Sequence, residues 1–301
     1  MSAIYFFNFL ANYGITVKKL LFQFDTDTTP SVFDTVVAYD AGADHVIAYG
    51  GLAPETIKPQ VEGCIFTRAP KDKKNTAVFV GGSEMTAGQA LFDSIQQQFF
   101  ANFRISIMLD SNGSNTTAAA GVAKLTLQGS VKNKKAIVLA GTGPVGQRAA
   151  ALLALEGAHV SITSRSFSKA QQACQSIQNR FNVTVTPIEA VDNTERAKAI
   201  ANTQIIFATG AANVQLLEEA HWKDNLALEL IADANATPPI GIGGTDMMDK
   251  GINRHGKIVW GAIGFGTLKL ALHKACINKL FESNDQILDA EEIFAIAKSM
   301  T

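Results

Sequence analysis

The chain has 301 residues, 47% of them hydrophobic and 18% charged, with a formal net charge of −1. This length and composition suit a globular protein of two domains with sizeable cores. The near-neutral charge removes the electrostatic case for nucleic acid or an anionic membrane surface as a partner.

Residues Met1–Val17 are apolar and aromatic and contain no charged side chain. They lack the basic start and small-residue cleavage site of a secretory signal, and the run is too short for a membrane span. We read 1–17 as an extra segment outside the fold, with Val17 as a candidate true start. An interface-binding helix is the sharper alternative for the same residues. The three cysteines, Cys64, Cys174 and Cys276, form no C-x-x-C pair, and the five histidines form no H-x-x-x-H or H-E-x-x-H. Buried thiols in a reducing, cytoplasmic setting are therefore expected, and a metal centre is not.

From Lys18 onward strands and helices alternate. Leu20–Phe24 reads as a strand ending in Asp25-Thr-Asp27, and Ser31 caps a predicted helix over Val32–Ala41 that stops at Gly42. Asp44–Ala48 is a second strand, Pro54–Glu62 a helix and Gly63–Arg68 a third strand. Ala69–Asn75 is a charged, exposed loop. Thr76–Val80 is a fourth strand, followed by a helix from Glu84 to about Phe99 with Ser83 as its cap. Ile105–Leu109 is a fifth strand. Such alternation predicts a parallel sheet covered on both faces.

Between that strand and an alanine-rich helix over Ala118–Leu127 stands Asp110-Ser-Asn112-Gly-Ser114-Asn115-Thr-Thr117. So many side-chain donors and acceptors at the carboxyl end of a strand suggest a ligand loop. The plain alternative is a capped turn, with Ser114 or Asn115 as the cap.

Next comes KAIVLAGTGPVG, Lys135–Gly146. An apolar strand runs into the G-x-G-x-x-G turn Gly141-Thr142-Gly143-Pro144-Val145-Gly146, and helix-forming sequence follows at once. In that context the motif means a dinucleotide site. Gly141 permits the turn, Gly143 admits the pyrophosphate, Gly146 lets helix and strand pack closely, and the helix N-terminus presents free N–H groups. The following strand, Gly157–Thr163, ends in Ser164-Arg165-Ser166, with Lys169 four residues on. NAD sites place a carboxylate there to hold the ribose 2′-hydroxyl. An arginine, hydroxyls and a lysine suit a 2′-phosphate instead, so NADP is the expected cofactor.

Further helices over Ser168–Phe181 and Asn193–Ala201, and strands over Val183–Thr186, Ile205–Gly210, Leu228–Ala232 and Lys257–Ala262, extend a Rossmann-type domain from 128 to 264. The ends of two of these strands place Thr209, Gly210, Asp233 and Asn235 in the expected dinucleotide site. In the C-terminal stretch Thr267 reads as an N-cap, which puts Lys269 in a first helical turn. A cation there opposes the helix dipole at a cost of about 0.3–1 kcal/mol, so Lys269 is a candidate for chemistry rather than structure. Asp289 and Glu292 form a capping-box start for the last helix.

Together, KKLLFQFDTDTTPSVFD, MLDSNGSNTTAAAG, VLAGTGPVG, PPIGIGG, LKLALHKACI, KLFES and ILDAEEI resemble the NADP-dependent methylene-tetrahydromethanopterin/methylene-tetrahydrofolate dehydrogenases of methylotrophic bacteria. The likeness runs from Lys18 to the C-terminus. It implies an α/β protein in which 18–127 plus 265–301 form a pterin-binding domain, with a cleft between it and the NADP domain. It also implies a homo-oligomer, a trimer being the expected size. The implied reaction moves a hydride from the methylene carbon of the pterin carrier to the nicotinamide and yields a methenyl cation. No proton leaves in that step, so no general base is required. By the resemblance, Lys269 sits beside the reacting pterin and orients it by hydrogen bonding. Asp25, Asp27 and the Asp110–Thr117 loop would line the pterin side.

A cyclohydrolase would need Y-x-x-x-K on one helix, and none of Tyr5, Tyr13, Tyr39 and Tyr49 precedes a lysine at that spacing; dehydrogenase activity alone is expected. Two competing readings share the layout: a shikimate-type NADP dehydrogenase and an NADP-sensing protein without turnover.

Overall fold

A computed structural model describes residues 17–301; the expectations for residues 1–16 lie outside it. The described residues form two sheets. The first contains β1 (Leu20–Asp25), β2 (His45–Tyr49), β3 (Thr76–Gly81), β4 (Ser106–Leu109) and the short β12 (Ile287–Leu288), all parallel, in the order β12-β4-β3-β1-β2. The second contains β5 (Lys135–Leu139), β6 (His159–Ser164), β7 (Thr186–Glu189), β8 (Ile205–Ala208), β9 (Leu230–Asp233), β10 (Lys250–Arg254) and β11 (Lys257–Trp260). Its order is β10-β11-β9-β8-β5-β6-β7, parallel except for the β10–β11 pair.

The helices are α1 (Val32–Asp40), α2 (Lys58–Phe66), α3 (Met85–Gln96), α4 (Ser114–Thr126), α5 (Pro144–Leu155), α6 (Phe167–Phe181), α7 (Asn193–Ala199), α8 (Ala262–Lys279) and α9 (Ala290–Ser299). The chain passes between the sheets twice, along α4 and along α8. These two helices pack on each other, and α9 packs on both. Helix α4 is buried over most of its length because its residues are small. At Gly121 a Cβ would lie 2.4 Å from the Phe207 ring, so close packing of α4 on β8 depends on glycine there. One apolar core runs without interruption from Leu21 and Phe79 of the first sheet through α4 to Val138 and Phe207 of the second.

Several expectations are corrected. Gly63–Arg68 is not a strand: Gly63–Phe66 are the last turns of α2, where Val61, Cys64 and Ile65 reach the core at helical spacing. The segment 70–75 is a short 3-10 helix rather than a loop; Pro70, Lys71 and Lys74 are exposed as expected, but Lys73 lies buried over the Phe103 ring. Strand β7 starts at Thr186 rather than Val183. Ser83 does not cap α3; its backbone N–H and its hydroxyl both donate to Asp27, each at 2.9 Å. Neither Ser114 nor Asn115 caps α4, which begins four residues earlier than expected with Gly113 as its N-cap. Thr267 lies inside α8, whose N-cap is Gly261. Lys269 is therefore well past the first turn, and the dipole argument for it falls. Strands β10 and β12 had no counterpart in the sequence reading. By contrast, Ser31 accepts from the Asp34 N–H at 3.2 Å, and Asp289 with Glu292 forms the expected capping box.

Candidate active site

Ligands of α/β sheets bind beyond the carboxyl ends of the strands. Both sheets carry a cavity there, and the two differ in character.

On the seven-stranded sheet, β5 ends in the glycine turn and α5 begins at Pro144, with Gly143 as N-cap. A Cβ on Gly146 would lie 2.6 Å from Gly141 Cα and 2.7 Å from Thr209 Oγ1, so only glycine permits this approach of helix and strand. Gly143 is the opposite case: a Cβ there would meet nothing within 4 Å. The internal packing makes no demand for glycine at this position, and its backbone borders open space at a helix N-terminus with unpaired N–H groups. Thr163, near the end of β6, accepts from the Ala140 N–H at 2.9 Å and ties the turn to the neighbouring strand.

A cavity of about 300 Å³ opens beside the turn. Its lining includes Thr142, Ser164, Arg165, Ser166, Lys169, Arg196 and Gly210, and no carboxylate. Arg196 was absent from the sequence reading. Its guanidinium is buried and donates to the carbonyls of Leu216 and Ala190 and to the Asn193 side chain, which adds a fixed positive charge to that wall. Asp233 and Asn235 do not line the cavity. Asp233 is buried, accepts from the N–H groups of Asn235 and Ile242, and is pushed up to about 6 by burial. Asn235 donates to the carbonyl of Ala211, which does line it. The two residues shape the loop after β9 and support the cavity from behind. The Thr209 hydroxyl donates to the Leu139 carbonyl.

On the five-stranded sheet, a cavity of about 360 Å³ is lined by Asp25, Asp27, Thr29, Ser31, Phe33, Asp34, Gly82, Ser83, Asn112, Gly113 and Lys269. It gathers the ends of β1 and β3, the start of α1, the turn after β4 and the middle of α8. Of the expected residues, Asp25, Asp27, Asn112 and Lys269 meet here. Two of the carboxylates are committed to the loop itself: Asp25 accepts from the N–H groups of Asp27 and Ser31, and Asp27 holds Ser83. Asn112 donates to the Ser83 carbonyl at 3.1 Å.

Asp34 and Phe33 were missed in the sequence, where they read as ordinary residues of an amphipathic helix. Burial pushes the Asp34 carboxyl up to about 6, with Lys269 pulling the other way and Asp25 adding to the rise. Lys269 Nζ stands 4.7 Å from the Phe33 ring centre, in cation–π range. Gly113 adopts φ +58°, and a Cβ there would approach Lys269 Nζ to 3.3 Å. Glycine at that turn leaves room for the ammonium.

The rest of the 110–117 loop turns inward. Asp110 is fully buried, accepts from the Thr116 N–H at 3.0 Å and the Thr116 hydroxyl at 2.6 Å, and burial pushes it up to about 7. The Ser114 hydroxyl donates to Ser111 O. Asn115 is buried among Leu109, Asp289 and Arg148. Thr117 is half-buried outside the cavity lining. The loop's many hydrogen-bonding groups thus mostly hold one another. His273 lies beneath, fully buried and stacked on Phe79 at 5.4 Å, and burial lowers it to about 3, so it is neutral. No group of three or more metal-ligating side chains occurs among the described residues, and no described helix is long and apolar enough to cross a membrane.

Comparison with known proteins adds the following. A family profile described as methylene-tetrahydromethanopterin dehydrogenase, N-terminal, matches residues 32–112. A second, described as shikimate / quinate 5-dehydrogenase, matches residues 122–234. The chain is 55% identical over 285 residues to the bifunctional protein MdtA of Methylorubrum extorquens, covering 94% of this chain and 99% of that one. It is 27% identical over 277 residues to the NAD(P)-dependent methylenetetrahydromethanopterin dehydrogenase of the same organism, covering 89% and 93%. Among solved structures, a shikimate 5-dehydrogenase from Mycobacterium fortuitum superposes with a TM-score of 0.50 at 16% identity, covering 94% and 99%; this is a likeness of fold.

Proposed function

Because the chain belongs to the methylene-tetrahydromethanopterin/methylene-tetrahydrofolate dehydrogenase family of methylotrophic bacteria, we propose that it oxidises the methylene carbon of such a pterin carrier with NADP and does not hydrolyse the methenyl product. The observation that carries this reading is the pair of cavities at strand carboxyl ends, one cationic beside a glycine turn and one acidic around a lysine.

The residues present fit a dinucleotide. The open space over Gly143 is a cradle that any side chain would begin to fill, and the N-terminus of α5 faces it. Arg165, Lys169 and Arg196, with no carboxylate in the lining, suit the additional phosphate of NADP. When bound, the nicotinamide supplies the hydride acceptor. The turn Gly141–Gly146, with Thr142, Pro144 and Val145, would hold its pyrophosphate. Ser164, Arg165 and Lys169 would hold the adenosine end, and Thr209 and Gly210 would border the nicotinamide ribose.

The pterin would occupy the acidic cavity. A pterin edge carries N–H and amino donors, and Asp34 is the lining carboxylate to which no backbone N–H donates among the described residues. Asp25 and Asp27 act one step back by fixing the loop. Lys269 would orient the reacting ring by donating hydrogen bonds. It cannot favour a forming cation by its charge, so its work is positional. Nothing in the cavity needs to accept a proton from carbon, consistent with a step that releases none. On this reading 18–127 with 265–301 form the pterin unit and 128–264 the dinucleotide unit, with the reaction in the cleft between. A cytoplasmic homo-oligomer, with a trimer the expected size, completes the proposal.

The test is spectrophotometric: NADPH formation with methylene-tetrahydromethanopterin and with methylene-tetrahydrofolate, beside shikimate as control. A rate with either pterin is expected. No rate with either would overturn the reading, and turnover of shikimate alone would favour the alternative that the second family match suggests.

A further inference from the structure

Between the two units runs a largely buried polar network that the sequence did not reveal. Arg148 lies two residues after Gly146 on α5 and is 4% exposed. Its Nε donates to Asn115 Oδ1 at 2.8 Å, and its Nη2 donates to Gln89 Oε1 at 2.6 Å. Asn115 passes the connection on, donating to the Leu109 carbonyl at the end of β4 at 2.7 Å and to Asp289 Oδ1 at 3.0 Å. On the next helix of the same sheet, Arg180 donates to Asp289 Oδ2 at 2.6 Å and to both oxygens of Glu291 at 3.0 Å. Burial pushes Asp289 up, but Arg148 and Arg180 together hold it below the usual carboxylate range.

Two arginines of the seven-stranded unit thus grip α3, α4 and α9 of the five-stranded unit. Such a buried network is weak evidence for stability, since its desolvation cost offsets most of its attraction. It is directional, however, and a planar guanidinium bound at two edges fixes distance and angle together. One end stands on the helix that opens the dinucleotide turn. The other stands at the start of α4, directly after the Asn112-Gly113 turn that borders Lys269.

We propose that Arg148 is a positioning residue for hydride transfer: through Asn115 and Gln89 it sets the spacing between the glycine turn and the pterin cavity. It lines neither cavity. Two bound carriers react only when the donor carbon and the acceptor carbon come within van der Waals reach, and small misplacements are costly. The inference rests on the hydride-transfer reading above.

The test uses the full-length enzyme with Arg148→Lys, which keeps the charge and loses the fork, and with the milder Gln89→Met. Active sites are titrated, and single-turnover hydride transfer is followed by stopped flow at saturating NADP and pterin, with binary dissociation constants measured separately. For Arg148→Lys we expect binary constants within about threefold of the parent and a transfer rate constant per titrated site reduced about tenfold or more, with a smaller fall for Gln89→Met. A purely structural role would lower the titrated amplitude and leave the rate constant unchanged; that result overturns the proposal. If Arg148→Lys fails to fold, an unchanged rate constant in Gln89→Met overturns it equally. A parent enzyme that forms no NADPH would instead remove the reading beneath.

Discussion

The two cavities at the strand ends are built in opposite ways. That of the seven-stranded sheet has its glycine turn in one run of residues, Gly141–Gly146, and its nearby wall carries Arg165, Lys169 and Arg196 without a carboxylate. That of the five-stranded sheet is assembled from four separate stretches of chain and carries three carboxylates around one lysine. On the proposed reading the first would take phosphates, on backbone N–H groups and the cations of its wall, and the second a donor-rich ring, on side chains. A mutation should therefore act on one ligand and spare the other, and that separation is open to attack.

The largest effect is expected at the glycine turn. Gly146→Ala places a methyl group 2.6 Å from Gly141 Cα. Overpacking costs about 1–3 kcal/mol; if the turn shifts to relieve that strain and must be restored on binding, NADP affinity falls up to roughly 100-fold. Calorimetric titration should show pterin binding unchanged; a parallel loss of pterin affinity would break the separation. Lys269→Ala should lower kcat roughly 10- to 100-fold by loss of orientation, with the NADP Michaelis constant unmoved; a kcat equal to the parent's would remove the lysine from the reaction.

A comparable but more selective effect is expected of Arg165→Ala. Loss of a charge-assisted hydrogen bond, about 1.5–3 kcal/mol, should raise the Michaelis constant for NADP roughly 10- to 100-fold and leave that for NAD nearly unchanged. Equal changes would mean that Arg165 is an ordinary surface cation.

Asp34→Asn should be mildest, about fivefold on the pterin Michaelis constant at neutral pH, because the amide oxygen still accepts and only the charge assistance, about 1 kcal/mol, is lost. Its value lies in the pH profile. The Asp34 carboxyl is raised to about 6, so it is ionised and able to accept at pH 7.5, and it becomes protonated as pH falls through 6. Pterin kcat/KM in the parent should fall along that limb, and the variant should flatten it. An identical acid limb in both proteins would assign the titration elsewhere.

The two sites were also unequally legible before folding. The glycine turn, Ser164-Arg165 and Lys169 are local: short-range geometry dictates glycine at 141 and 146, and the residues meant for one ligand lie close together in the chain. In the acidic cavity, Asp25 and Asp27 stood out only through likeness to a known family, and Lys269 through that likeness and a dipole argument that the true start of α8 removes. Asp34 and Phe33 were invisible, because a helix surface normally carries such residues. The 110–117 loop misled in the other direction. Its wealth of polar groups suggested a ligand, yet Asp110, Ser114 and Asn115 are buried and satisfied by Thr116, Ser111, Leu109, Asp289 and Arg148. Composition reports the presence of hydrogen-bonding groups and not the direction in which they point.

The sequence by itself determined most of the alternation of strands and helices, the mainly parallel character of the sheets, the glycine turn and the cap at Asp289. Each rests on interactions within a few residues or on a periodicity that the backbone imposes. Only the tertiary structure decided that Gly63–Phe66 joins a helix, that β12 pairs with β4 across 180 residues of chain, and that Arg148 meets Asn115 and Gln89. Those outcomes depend on which distant surfaces exclude water together, and burial of that kind has no local signature in the chain.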